Sequence, residues 1–132
     1  MHLLSILVFC LVTFLTPIDA TPPPLAITQA SCRVRLPDLA GSYVGDCQRG
    51  KAHGQGKAIG RDTYEGEFAK GFPHGRGTYT WANGDCYEGE FVKGAKEGEG
   101  KLVFAPVKAD SVQTDSVQVG LWKNDQFLGK RM

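Results

Sequence analysis

The chain is expected to be all-β, an elongated single-layer antiparallel meander of β-hairpins. Three observations predict this. Large residues recur at period two, as Tyr64, Gly66, Phe68 and again Gly75, Gly77, Tyr79, Trp81, with Glu65, Glu67, Arg76, Thr78 and Thr80 between them; that is the period of a strand. A Tyr-x-Gly-x-aromatic pattern starts at Tyr43, Tyr64 and Tyr87, at spacings of 21 and 23 residues, with Cys47 standing for the aromatic in the first copy. Of 17 glycines, 15 lie between Gly41 and Gly100, which leaves too few aliphatic residues for a helical bundle or a Leu/Ile/Val-packed globule.

Taken along the chain, residues 1–20 read as a secretory leader. Leu3 to Thr16 is dominated by apolar residues, and Pro17 and Ile18-Asp19-Ala20 follow, ending on a small residue suited to cleavage. The stretch is shorter than the roughly 20 residues needed to span a bilayer, and Thr21-Pro22-Pro23-Pro24 stops a helix directly afterwards. The mature protein is therefore expected to be secreted or periplasmic. Residues 21–40 form a capping or tethering segment. Residues 41–104 form three hairpins, whose second strands carry the glycine pairs Gly54/Gly56, Gly75/Gly77 and Gly98/Gly100. Intervening stretches such as Lys70-Gly71-Phe72-Pro73-His74 have hairpin-loop length, and Asn83-Gly84 is a strong turn signal between hairpins. Residues 105–132 are read as an irregular insertion and a degenerate fourth copy, Gly120 to Gly129, lacking the leading Tyr and the second strand.

Glycine inside a strand costs about 0.5–1 kcal/mol relative to alanine, yet here it recurs on the aromatic face. The offsetting gain is expected to be packing, with aromatic rings lying over bare glycine backbone on the neighbouring strand. Each ring then removes roughly 150–250 Å² from water, and each hairpin buries itself on the next, so that no aliphatic centre is needed.

The run Tyr-Glu-Gly-Glu-Phe-x-Lys-Gly-x-x-His-Gly-x-Gly-Thr-Tyr-x-Trp-x-Asn-Gly, from Tyr64 to Gly84, resembles the MORN (membrane occupation and recognition nexus) repeat. The resemblance covers residues 43–104 and, in part, 118–129. The first copy departs at Cys47, Ala58 and Gly60, and the third at Glu97, Leu102 and Phe104. It implies a twisted sheet of MORN-type β-hairpins serving as a scaffold for protein partners or phospholipid head groups, with no catalytic residue in the repeat.

Cysteine content bears on the export reading, since a mature exported chain keeps Cys32, Cys47 and Cys86 where thiols oxidise. Cys47 falls on the aromatic face and Cys86 on the opposite one, so a Cys32–Cys47 disulfide is expected, folding the N-terminal segment over the open end of the first hairpin. A loop of roughly 15 residues makes such a bridge worth about 3 kcal/mol. Cys86 is left as a half-buried thiol. His53 and His74 hold equivalent positions in successive copies, two strands or roughly 10 Å apart; that is too far for one zinc ion, with its bonds of about 2.0–2.1 Å, so they are read as loop-stabilising and no metal is expected.

Arg49, Lys51, Lys70, Lys93, Lys96 and Lys123 follow the first strand of their copies and are expected along one long edge. Such a row either keeps the edge solvated or docks on an anionic membrane surface. Tyr64, Phe68, Tyr79, Trp81, Tyr87, Phe91 and Phe104 are read first as core; because one sheet has no second layer, part of this face is also expected to form a partner-binding groove. A formal charge of +1 argues against nucleic acid as a partner. No nucleophile elbow, zinc-protease motif or phosphate loop is present, and no cofactor is expected. Glu65, Glu67, Glu88 and Glu90 alternate onto the polar face, where a cell-wall glycan-binding or glycan-hydrolysing role is the alternative reading. The function expected is that of a non-enzymatic scaffold or binding module in the cell envelope, engaging a protein partner or membrane surface, with homo-oligomerisation a further expectation.

Overall fold

In a computed structural model, residues 32–106 and 117–131 are described. The proposed leader, the first part of the N-terminal segment and most of the irregular insertion lie outside the described residues. Among the described residues eight strands form one antiparallel sheet in strict sequence order: β1 (Ser42–Gln48), β2 (Lys51–Ile59), β3 (Thr63–Ala69), β4 (Phe72–Thr80), β5 (Cys86–Val92), β6 (Ala95–Val103), β7 (Val117–Lys123) and β8 (Gln126–Gly129). The all-β meander read from the alternation is the observed fold.

The loops within hairpins are shorter than expected. Lys70-Gly71 alone joins β3 to β4, and both residues have positive φ, 53° and 88°. Arg49-Gly50 and Lys93-Gly94 repeat this geometry, which is that of the two-residue turns whose twist suits a hairpin. Phe72, Pro73 and His74, expected in the loop, belong to β4. They fit because the second strand of each of the first three hairpins is longer, nine residues against seven, and shifts register beside the glycine pair, between Gly66 and Phe68 in the second hairpin. The surplus residues pair outward instead: Gly75, at φ 80°, stands opposite Phe91 of the next hairpin. The final copy also differs from expectation, since β8 pairs with β7 through Trp122 opposite Phe127 and closes a complete, if short, hairpin.

Residues 32–40 cross the sheet as a strap. Arg33 N–H donates to Gly50 O at 2.9 Å, Arg35 N–H donates to Gly71 O at 2.8 Å, and Leu36 packs against Gly94. A short 3₁₀ turn, Pro37–Leu39, then leads back to the connection before β3, where Asp62 N–H donates to Asp38 O at 3.0 Å. The strap therefore ties three hairpins together, not only the open end of the first. Val34 and Leu39 join the aromatic core and are 8% and 0% exposed. The disulfide links Cys32 to Cys47, as expected, with 5.7 Å between Cα atoms.

Candidate functional site

Seven glycines stand opposite one another across seven strands: Gly45, Gly56, Gly66, Gly77, Gly89, Gly100 and Gly120 each pair with the next. This bare spine divides the molecule into two faces with different chemistry.

On the first face the tyrosines lie over the spine. A Cβ at Gly56, Gly77 or Gly100 would overlap the ring of Tyr43, Tyr64 or Tyr87 respectively. Each phenol then donates to a backbone carbonyl three residues ahead, Tyr43 to Asp46 O at 2.5 Å, Tyr64 to Glu67 O at 2.9 Å and Tyr87 to Glu90 O at 3.3 Å. At Gly120 the nearest side chain is that of Phe127 instead. Phe68 and Phe91 stand between the tyrosines and Trp122 beyond Tyr87, all edge to face, with centroids 4.9–5.3 Å apart and planes at 81–89°; such pairs are worth about 0.5–1.5 kcal/mol each beyond burial. Burial pushes the Tyr64 and Tyr79 phenols well above their ordinary range and Tyr87 up to about 12.

This packing corrects the groove expectation. Tyr64, Phe68, Tyr79, Tyr87 and Phe91 are buried, and only Trp81 and Phe104 of the seven are half-exposed. The strap covers one half of the face. Lys96 helps to cover the other: its Nζ lies 5.1 Å from the Trp81 ring centre, 5.2 Å from Trp122 and 5.9 Å from Tyr87, and pairs with Asp125 at 3.5 Å. Lys96 thus leaves the proposed basic edge. Its methylene stem and ammonium sit on the rings, a cation–π arrangement.

Arg49, Lys51, Lys70, Lys93 and Lys123 are exposed, at or beside the turns. The strap lays Arg33 and Arg35 against the first two of these turns, with Arg33 bridged to Lys51 and Arg35 stacked 4.9 Å over Phe72. Sequence reasoning missed both arginines, because only the strap's path brings residues preceding the repeats to this edge.

Asp62, only 3% exposed, was also missed. It accepts hydrogen bonds from Tyr79 Oη at 2.7 Å and Ala82 N–H at 3.0 Å, locking one inter-hairpin connection to the next. Asp85 does the same one repeat on, accepting from Ala105 N–H at 2.7 Å. Their spacing of 23 residues is the repeat period and was the signal available. His53 and His74 accept the turn N–H groups of Lys70 and Lys93 at 3.5 and 3.4 Å, while Glu97 takes the same role toward Asn124 at 3.1 Å. Histidine here couples neighbouring hairpins from strand positions. Cys86 is a half-buried thiol beside Thr80.

The second face carries the polar side chains. Along β4 to β7, Gly77, Gly89, Gly100 and Gly120 floor a trough of about 800 Å³, with Arg76, Glu88, Glu99, Lys101 and Arg131 among its walls. Glu88 stands opposite Lys101 on adjacent strands, and Arg131 pairs with Glu99. Acidic and basic walls facing one another across the trough suit an extended polar segment that carries charges of both signs.

The MORN repeat family model matches residues 43–62, 64–86 and 87–106. This is a MORN-repeat protein. A search of curated proteins found no match. The matched segments begin at or beside each tyrosine that covers the glycine spine, so the repeat unit is also the packing unit. MORN repeats are in general non-catalytic binding or scaffold modules that mediate protein or membrane-lipid interactions. The strap and the β7–β8 hairpin lie outside the matched segments and distinguish this MORN-repeat protein's two ends, and the disulfide ties the strap's Cys32 to Cys47 inside the first matched segment.

Proposed function

We propose that this protein is an exported, non-enzymatic MORN module of the cell envelope that holds an extended segment of a protein partner in the glycine-floored trough. The trough supports this reading because it carries charged walls of both signs, an arrangement that sets the register of a polar chain more than it adds raw affinity. The leader at residues 1–20 supports export. Photo-crosslinking in the native envelope tests the reading. A benzophenone side chain placed at Thr78, in the trough wall, is expected to form an adduct with one protein, and the combination Glu88→Lys with Lys101→Ala is expected to abolish it. No adduct from Thr78, or an adduct insensitive to the wall substitutions, overturns the assignment.

A second reading is favoured by one observation, the addition of Arg33 and Arg35 to the exposed turn cations Arg49, Lys51, Lys70 and Lys93. An edge of this kind docks on an anionic membrane surface, where each cation is worth about 1 kcal/mol. Co-sedimentation with anionic vesicles at low salt, absent with neutral vesicles and lost in Arg33→Gln with Lys70→Gln, supports it. Equal sedimentation with both vesicle types counts against it.

A further inference from the structure

The aromatic ladder is interrupted at its N-terminal end. Tyr64 has an edge-to-face partner on either side, Phe68 and Phe91, and Tyr87 has Phe91 and Trp122. Among the described residues Tyr43 has Phe68 alone. On its other flank the position that holds phenylalanine in the next two copies holds Cys47 instead, and the Cys32–Cys47 disulfide arches from it to the strap. A disulfide is narrower than a ring, and the strap spans the space without filling it. A cavity of about 900 Å³ lies between strap and β1, its wall formed by Tyr43, Val34, Leu39 and the disulfide.

The rim of this cavity is basic. Arg33, Arg49 and Lys51 line it and are exposed, and among the described residues none of the three is in an ion pair. An aromatic edge with one face unmatched, in a half-open cleft bordered by the nearly buried Val34 and Leu39 and crowned by three uncompensated cations, selects a ligand with the complementary parts. The ring supplies the missing edge-to-face neighbour of Tyr43, and an anion on the ring meets the guanidinium and ammonium groups through charge-assisted hydrogen bonds.

We infer that the cleft between the strap and the first hairpin is a binding site for a small aromatic acid, a planar ring bearing a carboxylate. The ligand completes the ladder that Cys47 interrupts. This site lies on the aromatic side of the sheet and at the opposite end from the trough, so it stands whether or not the trough holds a partner.

Titration calorimetry on the full oxidised chain, with naphthalene-2-carboxylate as probe, tests the inference. Saturable binding at one probe per chain is expected, at least about tenfold tighter than for the uncharged naphthalene-2-carboxamide, since hydrogen bonds to a charged group contribute about 1.5–3 kcal/mol. The exposed pair Arg49→Asn with Lys51→Gln keeps the turn chemistry and is expected to weaken carboxylate binding about tenfold while leaving carboxamide binding unchanged. Ring-current shifts are expected at the Tyr43 protons and the Val34 and Leu39 methyls, and Cys32→Ser with Cys47→Phe, which fills the slot covalently, is expected to abolish them. Absence of saturable heat, equal affinity for acid and amide, or shifts centred elsewhere on the sheet overturns the inference. The rim variant leaves the core untouched, so the test holds even if the Cys47→Phe chain does not fold.

Discussion

Replacing Gly77 by alanine adds one methyl group and is expected to cost more than most single core substitutions. The backbone at Gly77 does not have a left-handed φ, so alanine is sterically permitted there; the three atoms nearest an added Cβ all belong to Tyr64. Tyr64 is 0% exposed, its hydroxyl donates to Glu67 O at 2.9 Å, and its ring meets Phe68 and Phe91 at 4.9 and 5.1 Å. Lifting half of a ring that buries about 200 Å² returns roughly 100 Å² to water, or about 2.5 kcal/mol at 25 cal/mol per Å². Weakening two edge-to-face contacts adds about 1–2 kcal/mol, and loss of the hydroxyl bond adds about 1 kcal/mol. Against this stands a gain of about 0.5–1 kcal/mol from replacing glycine in a strand. The net expectation is a loss of about 3.5–5 kcal/mol, a large share of a domain's stability of about 5–15 kcal/mol. Urea unfolding followed by tryptophan fluorescence and far-UV circular dichroism measures it. In a Tyr64→Leu background the ring is gone, and Gly77→Ala is expected to cost less than about 1 kcal/mol, so the double-mutant cycle carries a coupling of at least about 2 kcal/mol. A cost under about 1 kcal/mol in the wild-type background, or additive effects in the cycle, would refute the idea that the glycine spine exists to seat the tyrosines.

Lys96→Ala is expected to destabilise by about 2 kcal/mol, because the 14% exposed side chain covers three rings; Lys96→Met, which keeps the stem, is expected to recover at least half of that in the same urea assay. Alkaline titration is expected to unfold the sheet cooperatively. The buried phenols of Tyr64, Tyr79 and Tyr87 have folded-state pKa values raised above 10.0, so the folded chain binds more protons, the stabilisation is complete below pH 10 and it is lost as pH rises toward about 12. Phenolate absorbance and the loss of circular dichroism should therefore coincide, whereas phenolate formation in a fully folded sheet would contradict the burial argument. Cys47→Ser is expected to lower stability by about 3 kcal/mol and to expose Val34 and Leu39, read as faster hydrogen exchange at the Arg33 and Arg35 amides; unchanged exchange would show that the strap holds without its bridge.

Much of this architecture is local, and local features are readable from a linear sequence. Side-chain alternation tells strand from helix, the 21- and 23-residue spacings set the unit, and tyrosine two residues from glycine recurs in register, so the sheet and its glycine-seated rings follow from neighbours along the chain. The turns were misjudged for a local reason too: Lys-Gly adopts the same positive-φ turn as Asn-Gly without the same compositional signal, and a bulged strand start looks like loop. Folding alone settles matters between residues far apart in sequence. Lys93 and Lys96 are close along the chain and of one chemistry, yet one meets water at a turn while the other lies on Trp81 and Trp122, contributed by neighbouring hairpins. The strap obeys the same logic. Its arginines reach the basic edge, and its arch leaves a basic-rimmed cavity beside Tyr43, because burying Val34 and Leu39 against the rings outweighs leaving an aromatic face in water, and no periodicity records where a non-repeating segment finds apolar surface to cover.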